Sequence, residues 1–394
     1  MKIVLYEKKE DCCACGACVN ICPKQAISMK EDEAGYLYPE INEDLCIECG
    51  ACKNVCAYQH YEESNNPIVC YAAVSKNMEQ SEKSASAGIF SAIASKVLRD
   101  GGTVYGAAFD DDWNVSHIAV DSVDKLYKLQ GSKYTHSNTG RTFSDVKKEL
   151  INGRFVLYSG TPCQIAGLKQ FLRKEYENLL TIDIVCHGVP SNKMLKDYIH
   201  FLEEKHKGAI SQFSFRDKAL GWGINGNAFI NGKKIKLWQS ASSYFYYFTK
   251  ASLYRENCYS CKYTSSHRPA DITLGDFWGI EKQHSDYLKD WDESKGISLI
   301  VANTIKGADY LKACDEYIEL KYSSFDKVSA GNAQLRHPCR SGNRDEIVDL
   351  FVEKGWDAIE CRFNNSIGVR RYSSQIKALL PSKIKKMLKR SVVR

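Results

Sequence analysis

Residues 12–23, CCACGACVNICP, and residues 46–57, CIECGACKNVCA, are one pattern written twice. Cys12, Cys15, Cys18 and Cys22 recur as Cys46, Cys49, Cys52 and Cys56, each 34 positions further on, and the Gly-Ala before the third cysteine repeats with them. C-x2-C-x2-C-x3-C is the spacing of a cubane iron–sulfur site. Three closely spaced thiolates wrap one cluster from a short loop, and the fourth sits on the following helical turn and points at the neighbouring cluster. Two copies allow reciprocal exchange. Cys12, Cys15, Cys18 and Cys56 are expected to hold one 4Fe-4S cluster, and Cys46, Cys49, Cys52 and Cys22 a second. Gly16 and Gly50 remove side chains where backbone N–H groups must approach the sulfides. Structural zinc prefers paired CxxC knuckles separated by a longer loop, and four cysteines within eleven residues, twice, fit that poorly. Pro23 completes the first motif and Ala57 stands in its place in the second. Cys13 lies off the pattern and reads as a bystander.

Outward from this repeat, the first unit spans 1–62 and is mildly acidic, with 10 acidic and 6 basic side chains in residues 1–60. A polar joint, HYEESNNP at 60–67, follows it. The whole chain has 394 residues, 44% hydrophobic and 26% charged, which excludes a disordered, collagenous or low-complexity protein. The first residues carry no apolar stretch of the kind a secretory signal needs, and no apolar run is long enough to span a bilayer. A cytoplasmic location is therefore expected. Thiols stay reduced there, so 17 cysteines point to metal or redox chemistry rather than disulfides. The net charge of +6 belongs to the tail: residues 370–394 hold nine basic and no acidic side chains, leaving 45 basic against 48 acidic elsewhere. That distribution argues against a nucleic-acid partner. The tail (Arg370, Arg371, Lys377, Lys383, Lys385, Lys386, Lys389, Arg390, Arg394) reads as a solvated terminal helix. The alternative is peripheral membrane contact, with Ile376, Leu379, Leu380, Ile384, Met387 and Leu388 on an anionic lipid surface and Pro381 interrupting the stripe.

From Val69 the pattern becomes that of an α/β body. GIFSAIASKVLRD, after Ser86, has apolar residues at helical spacing. RFVLYSGTPCQIAGLKQFL reads as a buried strand over Phe155 to Tyr158, a tight turn, and a helix with Pro162 in its first turn, where a missing N–H costs nothing. NLLTIDIVCHGVPS reads as a strand ending at Cys186, with a helix from Asn192 to Lys205. QFSFRDKALGWGINGNAFINGKKIKLW reads as antiparallel strands turning at Asn231-Gly232. DITLGDFWG reads as a final strand running into a site loop. The fold class expected is α+β: a ferredoxin-like two-cluster domain (1–62), then an α/β body with a mixed sheet (68–150 and 151–330) and a C-terminal extension (331–394).

Seven segments of the body, SASAGIFSAI, GSKYTHS, YSGTPCQIAGLKQFL, DIVCHGVPS, FRDKALGWG, ENCYSCKYT and DITLGDFWG, together resemble the coenzyme F420 hydrogenase/dehydrogenase beta-subunit family. They run in family order from about Val69 to Ile280, with the ferredoxin unit fused in front. The resemblance implies a flavoprotein that binds FAD and a further 4Fe-4S cluster and passes electrons between clusters and a soluble partner through the flavin. Carried over by motif, the FAD contacts are Ser86, Ala87 and Gly88, where Ala87 departs from the family's Ser-Gly-Gly turn. Gly131, Ser132, Lys133 and Tyr134 follow, with Lys133 either offsetting charge on the flavin or its phosphates or acting as an ordinary surface lysine. Thr161, Pro162 and Gln164 line the ring. Gly275, Asp276, Phe277 and Trp278 complete the set, their aromatics serving flavin or core, and Asp276 holding the flavin edge or capping a turn.

Apart from the family, SGTPCQ places small residues and free N–H groups where a strand meets a helix, a ready anion site. A helix N-terminus should lower the pKa of Cys163. Cys186 ends a buried strand, where α/β sheets place ligands, and Cys258 and Cys261 form a CxxC knuckle. Cys163, Cys186, Cys258 and Cys261 are expected to hold a third 4Fe-4S cluster. Zinc in the same place, unrelated thiols, and a Cys163/His187 nucleophilic pair remain the alternatives. Cys70, Cys314, Cys339 and Cys361 read as ordinary thiols. The functional expectation is an oxidoreductase passing electrons between clusters, FAD and an unidentified soluble donor or acceptor, with an unidentified small-molecule substrate. Nothing in the sequence indicates F420 specificity. Relatives with this fused architecture resemble proteins associated with polysaccharide biosynthesis. The alternatives are a non-catalytic electron-transfer subunit and a redox-sensing cluster protein serving a partner enzyme.

Overall fold

The computed structural model describes residues 3–340 and 342–368. The basic tail, and with it the choice between a solvated and a lipid-bound helix, lies outside the described residues. The N-terminal unit carries one antiparallel hairpin, β1 (Ile27–Glu31) and β2 (Leu37–Ile41), with Ile27 opposite Ile41. Two short helices, Ala17–Ile21 and Ala51–Asn54, each start from a glycine with positive φ, Gly16 (84°) and Gly50 (71°).

The body is built on an eight-stranded mixed sheet. Its strands are β3 (Val69–Ser75), β4 (Thr103–Phe109), β5 (Val115–Val120), β6 (Val156–Gly160), β7 (Leu179–Ile184), β11 (Ile272–Asp276), β12 (Ser298–Ala302) and β13 (Ile318–Ser323). Their order is β13-β3-β12-β11-β7-β6-β4-β5. β4, β6, β7 and β11 are parallel neighbours. β12 lies antiparallel between β11 and β3, so β3 points the same way as those four. Both faces are covered, so the strands read as apolar runs. Leu157, Leu180 and Ile300 pack on one face with the helix Ile89–Arg99. Val156 and Tyr158 pack on the other with the helix Pro162–Leu172. A second, three-stranded antiparallel sheet joins β8 (Ile210–Ser214), β9 (Gly226–Ile230) and β10 (Lys233–Leu237). Its core includes the helix Asn192–His206 and also Tyr36 and Tyr38 of the N-terminal unit.

Most expected elements stand where the sequence placed them. Asn231 and Gly232 turn with φ of 51° and 73°, as a two-residue hairpin requires. Pro162 is the first residue of its helix. The strand expected to end at Cys186 stops at Ile184, leaving Cys186 in the loop beyond it. DITLGDFWG is not the last strand: β12 and β13 follow, and every residue of β12 is buried. Its SLIVA run is short and apolar apart from Ser298, and such a run has no periodicity to separate a buried strand from a helix segment.

Candidate functional site

The sequence repeat is also a backbone repeat. Ala14 and Glu48, 34 residues apart, both adopt positive φ (53° and 50°), as do Gly16 and Gly50 two residues later. Left-handed residues interleaved in a tight loop turn successive N–H groups inward and make a concavity suited to an anion. The N–H groups of Ala14 and Ala26 already reach the sulfurs of Cys12 (3.4 Å) and Cys22 (3.3 Å). Cys12, Cys15, Cys18 and Cys56 line one cavity, with Cys13 and Cys52 also at its wall. Cys22, Cys46, Cys49 and Cys52 line a second. Each cavity is therefore lined by cysteines of both copies of the repeat: Cys56 joins the first copy's three at one, and Cys22 joins the second copy's three at the other. Burial pushes the Cys12 thiol up to about 11, against the pull of Arg255, and nearby Cys15 and Cys56 add to the rise. Cys18 is raised well above its ordinary value, by burial and then by Cys15, Cys12 and Cys56. Burial likewise raises Cys52, with Cys22 and Cys49 contributing. Buried thiols that oppose one another's ionisation are relieved when a metal replaces their protons. Among the described residues no three His, Cys, Asp or Glu side chains converge tightly enough for a single ion. The cysteines are spaced around cavities instead.

The two cavities differ in their surroundings. Gly16 has no room for a side chain because the Thr139 hydroxyl fills that space, and this hydroxyl donates to the Cys15 carbonyl at 3.0 Å. Asn20 donates to the Gly140 carbonyl (2.8 Å) and Arg141 to the Val19 carbonyl (2.7 Å). The first half of the repeat is thereby fastened to the body. Gly50, its counterpart, faces open space, and Cys49 is exposed. The Cys12 cavity is the inner one and the Cys49 cavity the outer.

The inner cavity leads to the third group of cysteines. The Cys15 sulfur would stand 2.7 Å from a Cβ at Gly167, one turn beyond Cys163 on the same helix. Cys163 is lowered to about 7. The leading cause is a hydrogen bond from the Cys13 thiol, with Thr161 Oγ, at 3.1 Å, and the Gln164 N–H adding to it against burial. The expected direction is right, but the helix end is only a minor cause. Burial raises Cys186 well above its ordinary value, and Cys258, Cys163 and Cys261 each add to the rise. Burial also raises Cys258, with Cys261 and Cys163 contributing, and pushes Cys261 up to about 11, again with Cys163 contributing. These four cysteines, from three segments, lie close enough to influence one another's ionisation. Cys13, off the motif, is buried between Cys15 and Cys163. Nothing in the sequence marked that position.

The motif residues expected around a flavin gather at the edge where β3, β6, β7 and β11 end. Thr161 and Cys163 follow β6, Cys186 and His187 follow β7, and Asp276 and Trp278 lie at the end of β11. Beyond β3, the Ala87 carbonyl accepts from the Ser75 N–H (3.0 Å), and Ser86 Oγ contacts Ser298 Oγ (3.1 Å). Asp276 receives two hydrogen bonds from Arg216 (2.9 and 3.3 Å) and one from Trp222 Nε1 (2.7 Å). Arg216 also donates to the Tyr134 hydroxyl at 3.0 Å. Trp222 stacks on Trp278 with centroids 4.7 Å apart. Lys218 donates to the Ser81 carbonyl and to that of Ser86 (2.6 Å). Three of the expected segments thus meet on Arg216, Lys218 and Trp222, none of which was singled out from sequence. The signal was present: FRDKALGWG is one of the segments that carry the resemblance.

The remaining residues of that set are placed differently. Phe277 is fully buried in the core and Gly275 lies against Val185. Gln164 Oε1 accepts from the Thr161 N–H (3.0 Å) in a capping box, and Pro162 is buried behind it, so these three shape the turn that presents Cys163. Gly88 caps the helix Ile89–Arg99 with φ of 84°. Gly131, Ser132 and Lys133 are half-buried in a loop. Lys133 donates to the carbonyls of Lys128 (3.1 Å) and Gln130 (2.9 Å) and forms no ion pair among the described residues. Burial lowers its ammonium to about 7. His187, the residue after Cys186, is lowered by burial against the pull of Asp276.

Residues 153–327 match the family model for the C-terminal region of the coenzyme F420 hydrogenase/dehydrogenase beta subunit, and residues 11–60 match a 4Fe-4S dicluster domain. No curated protein matches the chain. Among solved structures, the chain is similar to one in the xenon-derivatized F420-reducing NiFe hydrogenase complex from Methanosarcina barkeri, at 16% identity and a TM-score of 0.45, covering 77% of this chain and 92% of that one. A 4Fe-4S dicluster domain therefore stands in front of a region matching the C-terminal part of the coenzyme F420 hydrogenase/dehydrogenase beta subunit, and the chain is an iron–sulfur electron-transfer protein related to that subunit.

Proposed function

We propose that the chain is a flavin-dependent oxidoreductase that passes electrons between a soluble carrier or partner oxidoreductase and a small-molecule substrate. Clusters carry single electrons and a flavin one or two, so together they interconvert single electrons and hydride equivalents. Cys12, Cys15, Cys18 and Cys56 hold the inner cluster, and Cys46, Cys49, Cys52 and Cys22 the outer one. Cys163, Cys186, Cys258 and Cys261 hold a third. Arg216 and Lys218 supply positive charge for FAD, with Lys133, whose ammonium burial lowers to about 7, in the same set of motifs. Asp276 fixes Arg216, and the Trp222–Trp278 stack forms an apolar wall. The observation that carries this reading is adjacency: the third cysteine group and the Arg216–Asp276–Trp222 group share one sheet edge and are joined through the consecutive residues Cys186 and His187.

Anaerobic purification with iron, zinc and flavin analysis tests it. About 12 iron atoms per chain with extractable FAD is the expected result. Flavin-free protein with zinc at the third site defeats it. A second reading, a relay subunit with no turnover of its own, is favoured by the matched family being one of beta subunits. Under that reading reduced carrier is oxidised only when a partner enzyme is added. We extend the proposal to a role beside polysaccharide biosynthesis on the resemblance alone. Unchanged polysaccharide in cells lacking the gene would remove that extension.

A further inference from the structure

Three arginines lie deep in the protein close to the candidate sites, and two have carboxylate partners. Arg268 pairs with Asp183 at 2.9 Å, and Arg216 with Asp276 at 2.9 Å. Arg255, 1% exposed, forms no ion pair among the described residues. Its guanidinium is held by neutral groups: Nε donates to Asn257 Oδ1 (2.9 Å), Nη1 to the Leu37 carbonyl (2.9 Å) and Nη2 to the Cys12 carbonyl (2.9 Å). The Tyr38 ring lies 4.5 Å from it. A buried cation normally has a counter-charge, because removing it from water is otherwise strongly unfavourable.

Its position shows where that counter-charge would be. The side chain reaches the carbonyl of Cys12, in the inner group. The backbone N–H donates to Val189 (3.0 Å), three residues past Cys186, and the carbonyl accepts from the Cys258 N–H (3.0 Å). Arg255 is thus bonded to segments that present cysteines of both the inner and the third group. The ionisable neighbours with the largest influence on it are Cys12, Tyr38, Cys258 and Cys13, and His136, itself lowered to about 3 by burial, lies within its influence. No carboxylate is among them.

We infer that Arg255 is the shared counter-charge of the inner and third clusters, and that its fixed positive charge raises both reduction potentials and keeps the two close enough for electrons to pass either way. This rests on the three-cluster reading above. Each reduction adds one electron, and so one negative charge, at a cluster beside the cation. Dithionite supplies the electron, and no bond is made or broken. The guanidinium therefore stabilises the reduced state of whichever cluster holds the electron.

The test is an anaerobic EPR-monitored redox titration of the full chain with dithionite, comparing wild type with Arg255→Gln, Arg255→Lys and Asn257→Asp. Asn257→Asp keeps the arginine and sets a carboxylate against Nε, cancelling the charge with little change of shape. In Arg255→Gln and in Asn257→Asp the reduced fraction of two of the three clusters should fall about tenfold at fixed potential, which is about 59 mV for a one-electron couple, with the outer cluster unmoved. Arg255→Lys should stay near wild type. Loss of the inner or third cluster from Gln and Asp variants but not from the Lys variant also supports the inference. Fully assembled Asn257→Asp protein with unshifted potentials overturns it, as does loss from both Arg255→Gln and Arg255→Lys but not from Asn257→Asp, which would show that the arginine's hydrogen bonds and not its charge are needed. Wild-type protein with about 8 iron atoms defeats the three-cluster reading instead, and that result is read before any variant is compared.

Discussion

Asp276 shows how much one side chain holds in place. Its carboxylate binds Arg216 and Trp222, Arg216 binds Tyr134, and Trp222 stacks on Trp278. The Arg216 side chain is 4% exposed and that of Asp276 14%. Removing one partner of a buried pair leaves an uncompensated charge, which costs about 3–5 kcal/mol. Asp276→Asn should therefore lower the anaerobic unfolding temperature and release flavin on gel filtration, while the N-terminal clusters keep their iron. A variant that unfolds like wild type and retains flavin would mean that Asp276 only caps a turn. Legibility at this scale depended on spacing. The eight N-terminal ligand cysteines could be named because metal chemistry fixes ligand type and interval, and Cys163 and Cys186 because each was expected where a strand ends or a helix starts. Arg216, Lys218 and Trp222 have no such interval, since what makes them matter is a tertiary meeting of three segments. Cys13 and Arg255 depend on a meeting between the N-terminal unit and the body, which no local pattern encodes.

The helix Pro162–Leu172 presents Cys163 at its first turn and carries Gly167 one turn later, against Cys15. Its start was readable from a strand, a small-residue turn and a proline, each of which acts through local sterics. Its close packing against Cys15 was not readable, because a glycine within a helical pattern carries no mark of what approaches it. The two effects of replacing that glycine oppose each other. Alanine favours a helix interior over glycine by about 1 kcal/mol. Overpacking of a tight contact costs about 1–3 kcal/mol, and here the added methyl would meet the Cys15 sulfur at 2.7 Å and its Cβ at 2.9 Å. The contact should win, so Gly167→Ala should destabilise the protein and reduce iron at the inner site, measured by anaerobic thermal unfolding and iron content. A gain in stability with full iron would show that Cys15 does not press on this helix. β12 was missed for a related reason. Its run of buried apolar residues is set by sheet contacts on both faces, and it became a strand only because β3 and β11 flank it.

Across the whole molecule the three cysteine groups and the flavin-motif residues form a sequence from surface to sheet edge. The outer cavity has exposed Cys49 and, around it, Leu45 (51% exposed) and Ile47 (56% exposed). The inner cavity is fastened to the body by Thr139, Asn20 and Arg141, and its Cys15 touches the helix of Cys163. The third group shares its edge of the sheet with Asp276 through His187. The order of these stations makes the outer one the natural point of exchange with a carrier. The double variant Cys46→Ser/Cys49→Ser should leave the body and the inner group intact, because the outer half of the repeat is not fastened to the body at Gly50. Iron should fall by about one third, from about 12 to about 8 atoms per chain, and flavin content should not change. Reduction by a small reagent such as dithionite, which can reach the sites that remain, should persist. Reduction by a protein carrier, which must dock at one face, should fall to the rate seen without the chain's clusters. Stopped-flow reduction with each reductant separates these outcomes. Equal rates from the protein carrier in wild type and variant would place the point of exchange elsewhere and reverse the direction in which this sequence of sites is read.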